Sequence, residues 1–333
     1  MFATIIWVII FIVSLVTLVK SADWLVLGAE RIGLALGMSP FVVGVLLVGI
    51  GTSFPELISS FAAVLSGVNE MVVANAVGSN VANILLIIGS SAIIGTRLVI
   101  DKDLIDLDLP LIAISTVLFL GVVFDGVVTF GEGILLLIGY GVYLSYIMFN
   151  QEKVSDMKKL PSRLTRRLMK LGSVVEKGGK LRKPKIGIKD FGLLIIGIIG
   201  LAIGAKYLVD SVIALSDIWN VGAGSITIIA VAFGTSLPEL IVSIKAALQN
   251  KSDIALGNIF GSNAFNILVV VGLPGLFAPL VIDHQTLYVG VPAMVLATAL
   301  FVISGISRRI HLWEGAMYLI AYVLFIGKIF QIF

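Results

Sequence analysis

Residues 49–94 match residues 232–277 without a gap at a constant shift of 183 positions, and 18 of the 46 positions are identical. The identities are not confined to apolar residues, so shared hydrophobicity does not account for them. Gly51-Thr52-Ser53-Phe54-Pro55-Glu56 aligns with Gly234-Thr235-Ser236-Leu237-Pro238-Glu239, and Asn75 with Asn258. Gly78-Ser79-Asn80 aligns with Gly261-Ser262-Asn263, and Asn83 with Asn266. A chain that carries such a block twice is built from two copies of one structural unit.

The solvent of that unit follows from composition. Of 333 residues, 59% are apolar and 13% charged, about half the charged share of a soluble domain. The mean hydropathy is +1.11. Lipid-exposed backbone must satisfy its hydrogen bonds internally, which selects helices here. A window of about 20 residues gives ten apolar segments, near 3–33, 40–66, 71–95, 109–124, 130–149, 190–216, 222–248, 254–278, 286–304 and 312–332. Met1–Val19 carries no basic residue and is expected to be a first span rather than a cleaved signal.

Basic residues orient the spans. Residues 150–190, between spans five and six, hold 13 of the 23 Lys and Arg, and positive charge marks the cytoplasmic side. With that loop inside, 20 of the 23 fall on the same side, including Arg31, Arg97, Lys102, Lys245, Lys251, Arg308 and Arg309. The expected fold is therefore an all-α membrane protein of ten transmembrane helices, with both termini outside. Spans two and three carry one repeated block, spans seven and eight the other. A shift of five spans reverses direction, which gives two inverted five-helix repeats, the plan of many secondary transporters. The expected units are 1–149, a basic cytoplasmic loop over 150–189, and 190–333. Residues 162–176 also fit an amphipathic helix on anionic lipid, but a topology determinant and linker is the simpler reading of the loop. Charge alone does not make it a nucleic-acid site.

The chemistry lies in the blocks. Glu56 and Glu239 are the only acidic residues well inside spans two, three, seven and eight. A buried carboxylate is costly unless paired or functional, and neither has an obvious basic partner in those spans. A protonated Glu acting as interhelical glue is the alternative; two equivalent copies favour one shared cation site. Thr52 and Ser53 lie within a helical turn of Glu56, as Thr235 and Ser236 do of Glu239. Pro55 and Pro238 lack an N–H and disturb the carbonyls of Gly51 and Gly234. In spans three and eight, Asn75, Ser79 and Asn83, and again Asn258, Ser262 and Asn266, recur every four residues on one helix face. Asn80 and Asn263 lie off that face and read as interhelical hydrogen-bonding groups. All these donors are hard oxygens. With no cysteine, and with His284 and His311 near span ends, softer metals are disfavoured. Calcium takes six to eight such oxygens, sodium uses the same kind, and protons also balance carboxylates. A site that must hold one cation or another before it reorients is an exchanger.

The blocks GTSFPEL–GSNVANI and GTSLPEL–GSNAFNI resemble the repeats of the cation/calcium exchanger superfamily, in its prokaryotic sodium/calcium antiporter branch. The resemblance implies exchange of Ca²⁺ for Na⁺ across the cytoplasmic membrane by alternating access. Spans two, three, seven and eight would surround the ions while long spans one and six slide across them. It places ion ligands at Thr52, Ser53, Glu56, Thr235, Ser236 and Glu239, at Ser79, Ser262, Asn83 and Asn266, and at the carbonyls of Gly49 and Ala232. Several relatives, potassium-dependent exchangers among them, carry Asp at the position of Asn266, so potassium dependence is not expected. The proton-coupled branch tends to have Asn at the positions of Thr52 and Thr235, which favours sodium. A proton-coupled or potassium-dependent divalent-cation antiporter is the alternative.

Other features are secondary. Asp101, Asp103, Asp106 and Asp108 lack the Gly and Glu of a calcium-binding EF-hand loop and read as a solvated loop. Lys20 with Asp23, and Lys206 with Asp210, have the spacing of intrahelical ion pairs. Gly192, Gly197, Gly200 and Gly204 suit a smooth helix surface. An inverted repeat argues against a passive channel, and no catalytic constellation of an intramembrane hydrolase is present. The implied surroundings are the two transported ions and the lipid bilayer, without cofactor or obligate protein partner.

Overall fold

The computed structural model describes residues 2–94, 97–99, 109–149, 186–219, 234–306 and 309–329. Among these, eight helices are long and apolar enough to cross a membrane. Helix α1 (Phe2–Leu36) has 35 residues and extends about 50 Å, well beyond a hydrocarbon core of about 30 Å. The second span starts at Pro40, the first helical residue, with the Ser39 hydroxyl accepting from the Val42 N–H at 3.3 Å. It runs through α2 (Pro40–Val43), a π-helical stretch (Gly44–Gly49), α3 (Ile50–Thr52) and α4 (Phe54–Leu65). The third comprises α5 (Glu70–Val81), a second π stretch (Ala82–Ile88) and α6 (Gly89–Ile94). Strand β1 (Arg97–Val99), α7 (Leu109–Val123), strand β2 (Val127–Val128) and α8 (Phe130–Phe149) complete the first half.

The second half repeats this order: α9 (Ile188–Trp219), α10 (Leu237–Leu248), α11 (Ser252–Phe265), a π stretch (Asn266–Val270) and α12 (Gly272–Gly275). Strand β3 (Leu280–Val281), a π turn (Thr286–Gly290), α13 (Val291–Ile306), strand β4 (Arg309–His311) and α14 (Leu312–Ile329) follow. The shift of 183 seen in the blocks relates α4 to α10 end for end, and it carries α1, α5, α6, α7 and α8 onto α9, α11, α12, α13 and α14, while the counterpart of α2 lies outside the described residues. The turns after α4 and α10 correspond as well. Gly67 (φ 73°) and Asn250 (φ 56°), related by the same shift, both take the left-handed conformation that Gly and Asn tolerate best. Antiparallel pairing joins β1 to β4 and β2 to β3, so each half lends strands to the other.

These elements agree with nine of the ten expected segments to within a few residues at most ends. Of the seventh, 222–248, residues 222–233 lie outside the described residues, as do Asp101, Asp103, Asp106, Asp108, Ala232 and nearly all of the basic loop. Among the described spans, the most buried are those that carry the repeated blocks. The most apolar 18-residue stretch of Ser252–Gly275 is 100% buried, against 22% for α1, α8 and α9. Backbone meets backbone where the first π stretch crosses α11. A Cβ on Gly44 would lie 2.6 Å from the Ile254 carbonyl, and one on Gly261 would collide with the carbonyl of Val45. Phe260 fills the adjoining space, edge-on to Phe41 at 5.6 Å and tilted against Phe301 at 5.1 Å.

Helices α1 and α9 pack along each other with small residues at the seam. A Cβ on Gly197 would lie 2.7 Å from the Leu25 nitrogen, and one on Gly204 2.9 Å from Leu18, whereas Gly192 has open space. The expected intrahelical pairs of Lys20 with Asp23 and Lys206 with Asp210 do not form among the described residues. Asp23 faces α10 instead, where Lys245 reaches it at 3.0 Å and Gln249 at 3.2 Å, and Lys206 lies 5.7 Å from the Tyr207 ring centre. A partner on a neighbouring helix prevails because α1 packs tightly there. Further along, Glu30 pairs with Lys251 at 2.7 Å in a buried position, and Arg31 with Asp190 at 3.3 Å.

Candidate cation site

Each duplicated Gly-Thr-Ser turn of the repeat is a helix break rather than a kink. Helix α3 ends at Thr52, Ser53 leaves helical geometry (φ −86°, ψ 5°), and α4 restarts with Pro55 in its first turn. Ser236 (φ −86°, ψ 1°) and Pro238 reproduce the break before α10. The sequence reading placed Thr52, Ser53 and Glu56 in one continuous turn. A proline is better tolerated where its missing N–H would be unpaired anyway, and the chain restarts a helix there. Glu56 and Glu239 consequently sit in the first turns of α4 and α10. Aligned peptide dipoles give those ends partial positive charge, which favours a carboxylate.

Both glutamates are fully buried. The Ser53 hydroxyl donates to Oε1 of Glu239 at 3.0 Å. Thr52 Oγ lies 3.3 Å from Ser262 Oγ, and the Ser262 hydroxyl donates to the Gly49 carbonyl at 3.2 Å. Gly49, Thr52 and Ser53 of the first block thereby meet Glu239 and Ser262 of the second in one buried cluster. Asn83, at the start of the second π stretch, donates through Nδ2 to Oδ1 of Asn263 at 3.1 Å. Asn80 donates to the Asn263 carbonyl at 3.1 Å, the interhelical bonding expected of these two. Ser79, Ser236 and Asn266 are buried and Thr235 half-buried, and no hydrogen bond among the described residues joins these four to the cluster.

Several buried oxygens have no protein donor. Both carboxylate oxygens of Glu56, Oε2 of Glu239, Ser236 Oγ, Oδ1 of Asn83 and both polar atoms of Asn266 lack a hydrogen-bond partner among the described residues. A buried polar atom without a partner costs about 1–3 kcal/mol, more when charged. Two carboxylates with neutral hydroxyl and amide oxygens form a donor set suited to a hard cation.

Two features escaped the sequence reading. The π stretches at Gly44–Gly49, Ala82–Ile88 and Asn266–Val270 abut or contain Gly49, Asn83 and Asn266. Such bulges recur at functional sites, but hydropathy has no mark for them. Ser243 is buried and accepts from Asn258 Nδ2 at 2.9 Å. Its signal was present, since Ser60 and Ser243 are identical across the repeat.

Residues 6–149 and 189–331 match the family described as sodium/calcium exchanger protein. The sodium/calcium exchanger MaX1 of Methanosarcina acetivorans is 33% identical over 97% of this chain and 98% of its own. The inner membrane protein YrbG of Escherichia coli is 32% identical over 87% of this chain and 86% of its own. Among solved structures, the sodium-calcium exchanger NCX_Mj soaked with 2.5 mM Na⁺ and 0.1 mM Sr²⁺ superposes with a TM-score of 0.80 at 30% identity, covering 97% of this chain and 99% of that one.

Proposed function

Since the chain belongs to the sodium/calcium exchanger family, we propose that it exchanges Ca²⁺ for Na⁺ across the cytoplasmic membrane by alternating access. It is a multi-pass membrane transporter and not an enzyme, as its exchanger relatives are. The observation that carries the mechanism is the pair of buried glutamates, Glu56 and Glu239, one from each repeat and each at a helix start. Together they neutralise one Ca²⁺, and monovalent cations neutralise them in its absence. In a medium of low dielectric, an uncompensated charge is too costly to carry across, so the site reorients loaded.

The remaining ligands are the oxygens of Thr52, Ser53, Ser79 and Asn83, their counterparts Thr235, Ser236, Ser262 and Asn266, and the carbonyls of Gly49 and Ala232. Ten spans in two inverted repeats, 1–149 and 190–333, surround them, joined by the basic loop 150–189, with both termini outside. The correspondence of elements at a shift of 183 and the reciprocal strand pairs β1–β4 and β2–β3 support this plan. Helices α1 and α9, packed together along their small-residue seam, slide as a unit across the core. Placement in the cytoplasmic membrane is supported by the naming of the Escherichia coli relative as an inner membrane protein.

The test is ⁴⁵Ca²⁺ uptake into proteoliposomes under imposed Na⁺, K⁺ or pH gradients. Uptake driven by an outward Na⁺ gradient is expected. Uptake driven by a pH gradient alone would replace sodium coupling with proton coupling, and absence of calcium flux under every gradient would refute the proposal.

A further inference from the structure

Asn258 lies outside the ligand set, yet it is fully buried and touches both halves of it. Its Oδ1 accepts the Thr52 hydroxyl at 3.0 Å. Its Nδ2 donates to Ser243 Oγ at 2.9 Å and to the backbone carbonyl of Glu239 at 3.4 Å. A carbonyl only accepts, so the amide edge facing Glu239 must be the N–H edge. A flipped amide would set its oxygen against that carbonyl, so Oδ1 is fixed toward Thr52.

We propose that Asn258 is a positioning residue for the cation site: it takes the Thr52 proton and so turns the lone pairs of that hydroxyl toward the ion. The inference rests on the function proposed above. Proton bookkeeping carries it. A hydroxyl has one proton and two lone pairs, and a carbonyl oxygen has two lone pairs. The Gly49 carbonyl already accepts the Ser53 N–H at 3.1 Å and the Ser262 hydroxyl at 3.2 Å. Thr52 is also within 3.2 Å of that carbonyl and 3.3 Å of Ser262 Oγ, but the carbonyl already accepts two protein donors and both atoms lie farther than Asn258 Oδ1. Asn258 Oδ1, at 3.0 Å, is the nearest acceptor. With it, the Thr52 and Ser262 protons both point away from the cation. Without it, the Thr52 proton turns to the Gly49 carbonyl or to Ser262 Oγ, both in the proposed ligand set, or points at the ion, which a hydroxyl ligand cannot do favourably. The same amide pins the backbone at Glu239, so the orientation of a first-block hydroxyl is tied to the position of a second-block carboxylate.

The experiment measures half-saturating Ca²⁺ and maximal rate of Na⁺-driven ⁴⁵Ca²⁺ uptake for wild type, Asn258→Leu, Asn258→Ala, Thr52→Val and the Thr52→Val/Asn258→Leu pair. Asn258→Leu, close in shape but without an acceptor, should raise half-saturating Ca²⁺ about tenfold, with the maximal rate changed less. Asn258→Ala leaves room for a water to take the proton and should have the smaller effect. In the Thr52→Val background, Asn258→Leu should add little, because contacting residues that act through one interaction are non-additive. Equal effects of Asn258→Leu in both backgrounds, or a loss of rate with affinity unchanged, would overturn the positioning role. If Asn258→Leu alone fails to fold, the contrast between Asn258→Ala and the apolar pair still decides. A wild-type protein that moves no calcium would refute the parent proposal instead, a separate result.

Discussion

The Ser53 hydroxyl donates to Oε1 of Glu239 across the repeat boundary at 3.0 Å, so a side chain of one half holds the carboxylate of the other. The bond leaves the Ser53 lone pairs and Oε2 of Glu239 for a cation. Replacing Ser53 by Ala removes a hydrogen bond to a charged group, worth about 1.5–3 kcal/mol. Ser53→Ala should therefore raise half-saturating Ca²⁺ by about tenfold or more while the protein still inserts. Unchanged affinity in the flux assay would remove Ser53 from the site.

Glu56→Gln and Glu239→Gln should each abolish calcium exchange without loss of the folded protein. Each removes half the negative charge available to a dication in low dielectric. The amide keeps the shape of the carboxyl, so melting behaviour in detergent should stay close to wild type. Undiminished uptake in either variant would refute a site of two carboxylates.

Potassium should be dispensable. The family resemblance implies that position 266 offers an amide where potassium-dependent exchangers carry a carboxylate, and Asn266 is buried with neither polar atom hydrogen-bonded among the described residues. Omitting K⁺ from both faces of the vesicle should leave Na⁺-driven uptake intact. Asn266→Asp should shift ion preference, because it adds a third carboxylate to the proposed ligand set. Exchange that stops without K⁺ would reverse this inference.

The buried pair of Lys251 and Glu30, at 2.7 Å, fastens α1 to the start of α11. Losing one member of a buried pair typically costs about 3–5 kcal/mol, because the remaining charge stays desolvated. Lys251→Met should lower the melting temperature in detergent more than the double replacement Lys251→Met/Glu30→Met. A double variant at least as unstable as the single one would mean that the pair contributes net stability rather than mutual neutralisation.

What the sequence made legible was set by periodicity and by duplication. Spans of about 20 apolar residues follow from the thickness of the bilayer, so α1, α8 and α14 could be read directly. Glu56, Ser53 and Ser262 stood out because each occurs twice in a setting where polar atoms are costly. The failures have one physical origin, that contacts between helices are not written along one helix. Lys20 and Asp23 have the right spacing for a pair, yet Asp23 turns to Lys245 on α10. The π stretch before Gly49 arises where Gly44 meets α11 backbone to backbone, and the break at Ser53 needs the proline to start a helix rather than bend one. Asn258 was visible as part of a polar stripe, but its link to Thr52 exists only once α3 and α11 are brought together.

Deleting residues 155–183 and joining the ends through a short Gly/Ser linker should preserve ion exchange. The segment contains no residue of either block. The family match itself passes over it, covering 6–149 and resuming at 189. On the proposed topology its basic charge serves orientation, and Lys153, Lys185 and Lys189 remain after the deletion, with Arg97, Lys102, Arg308 and Arg309 expected on the same side. The linker need only join the end of α8 to the start of α9, and a flexible chain of n residues reaches about 5–6 Å × √n. Expression should fall at most, with half-saturating Ca²⁺ unchanged in the vesicle assay. A deletion variant that inserts normally but shows a several-fold shift in calcium affinity would make the loop a regulatory element rather than a linker.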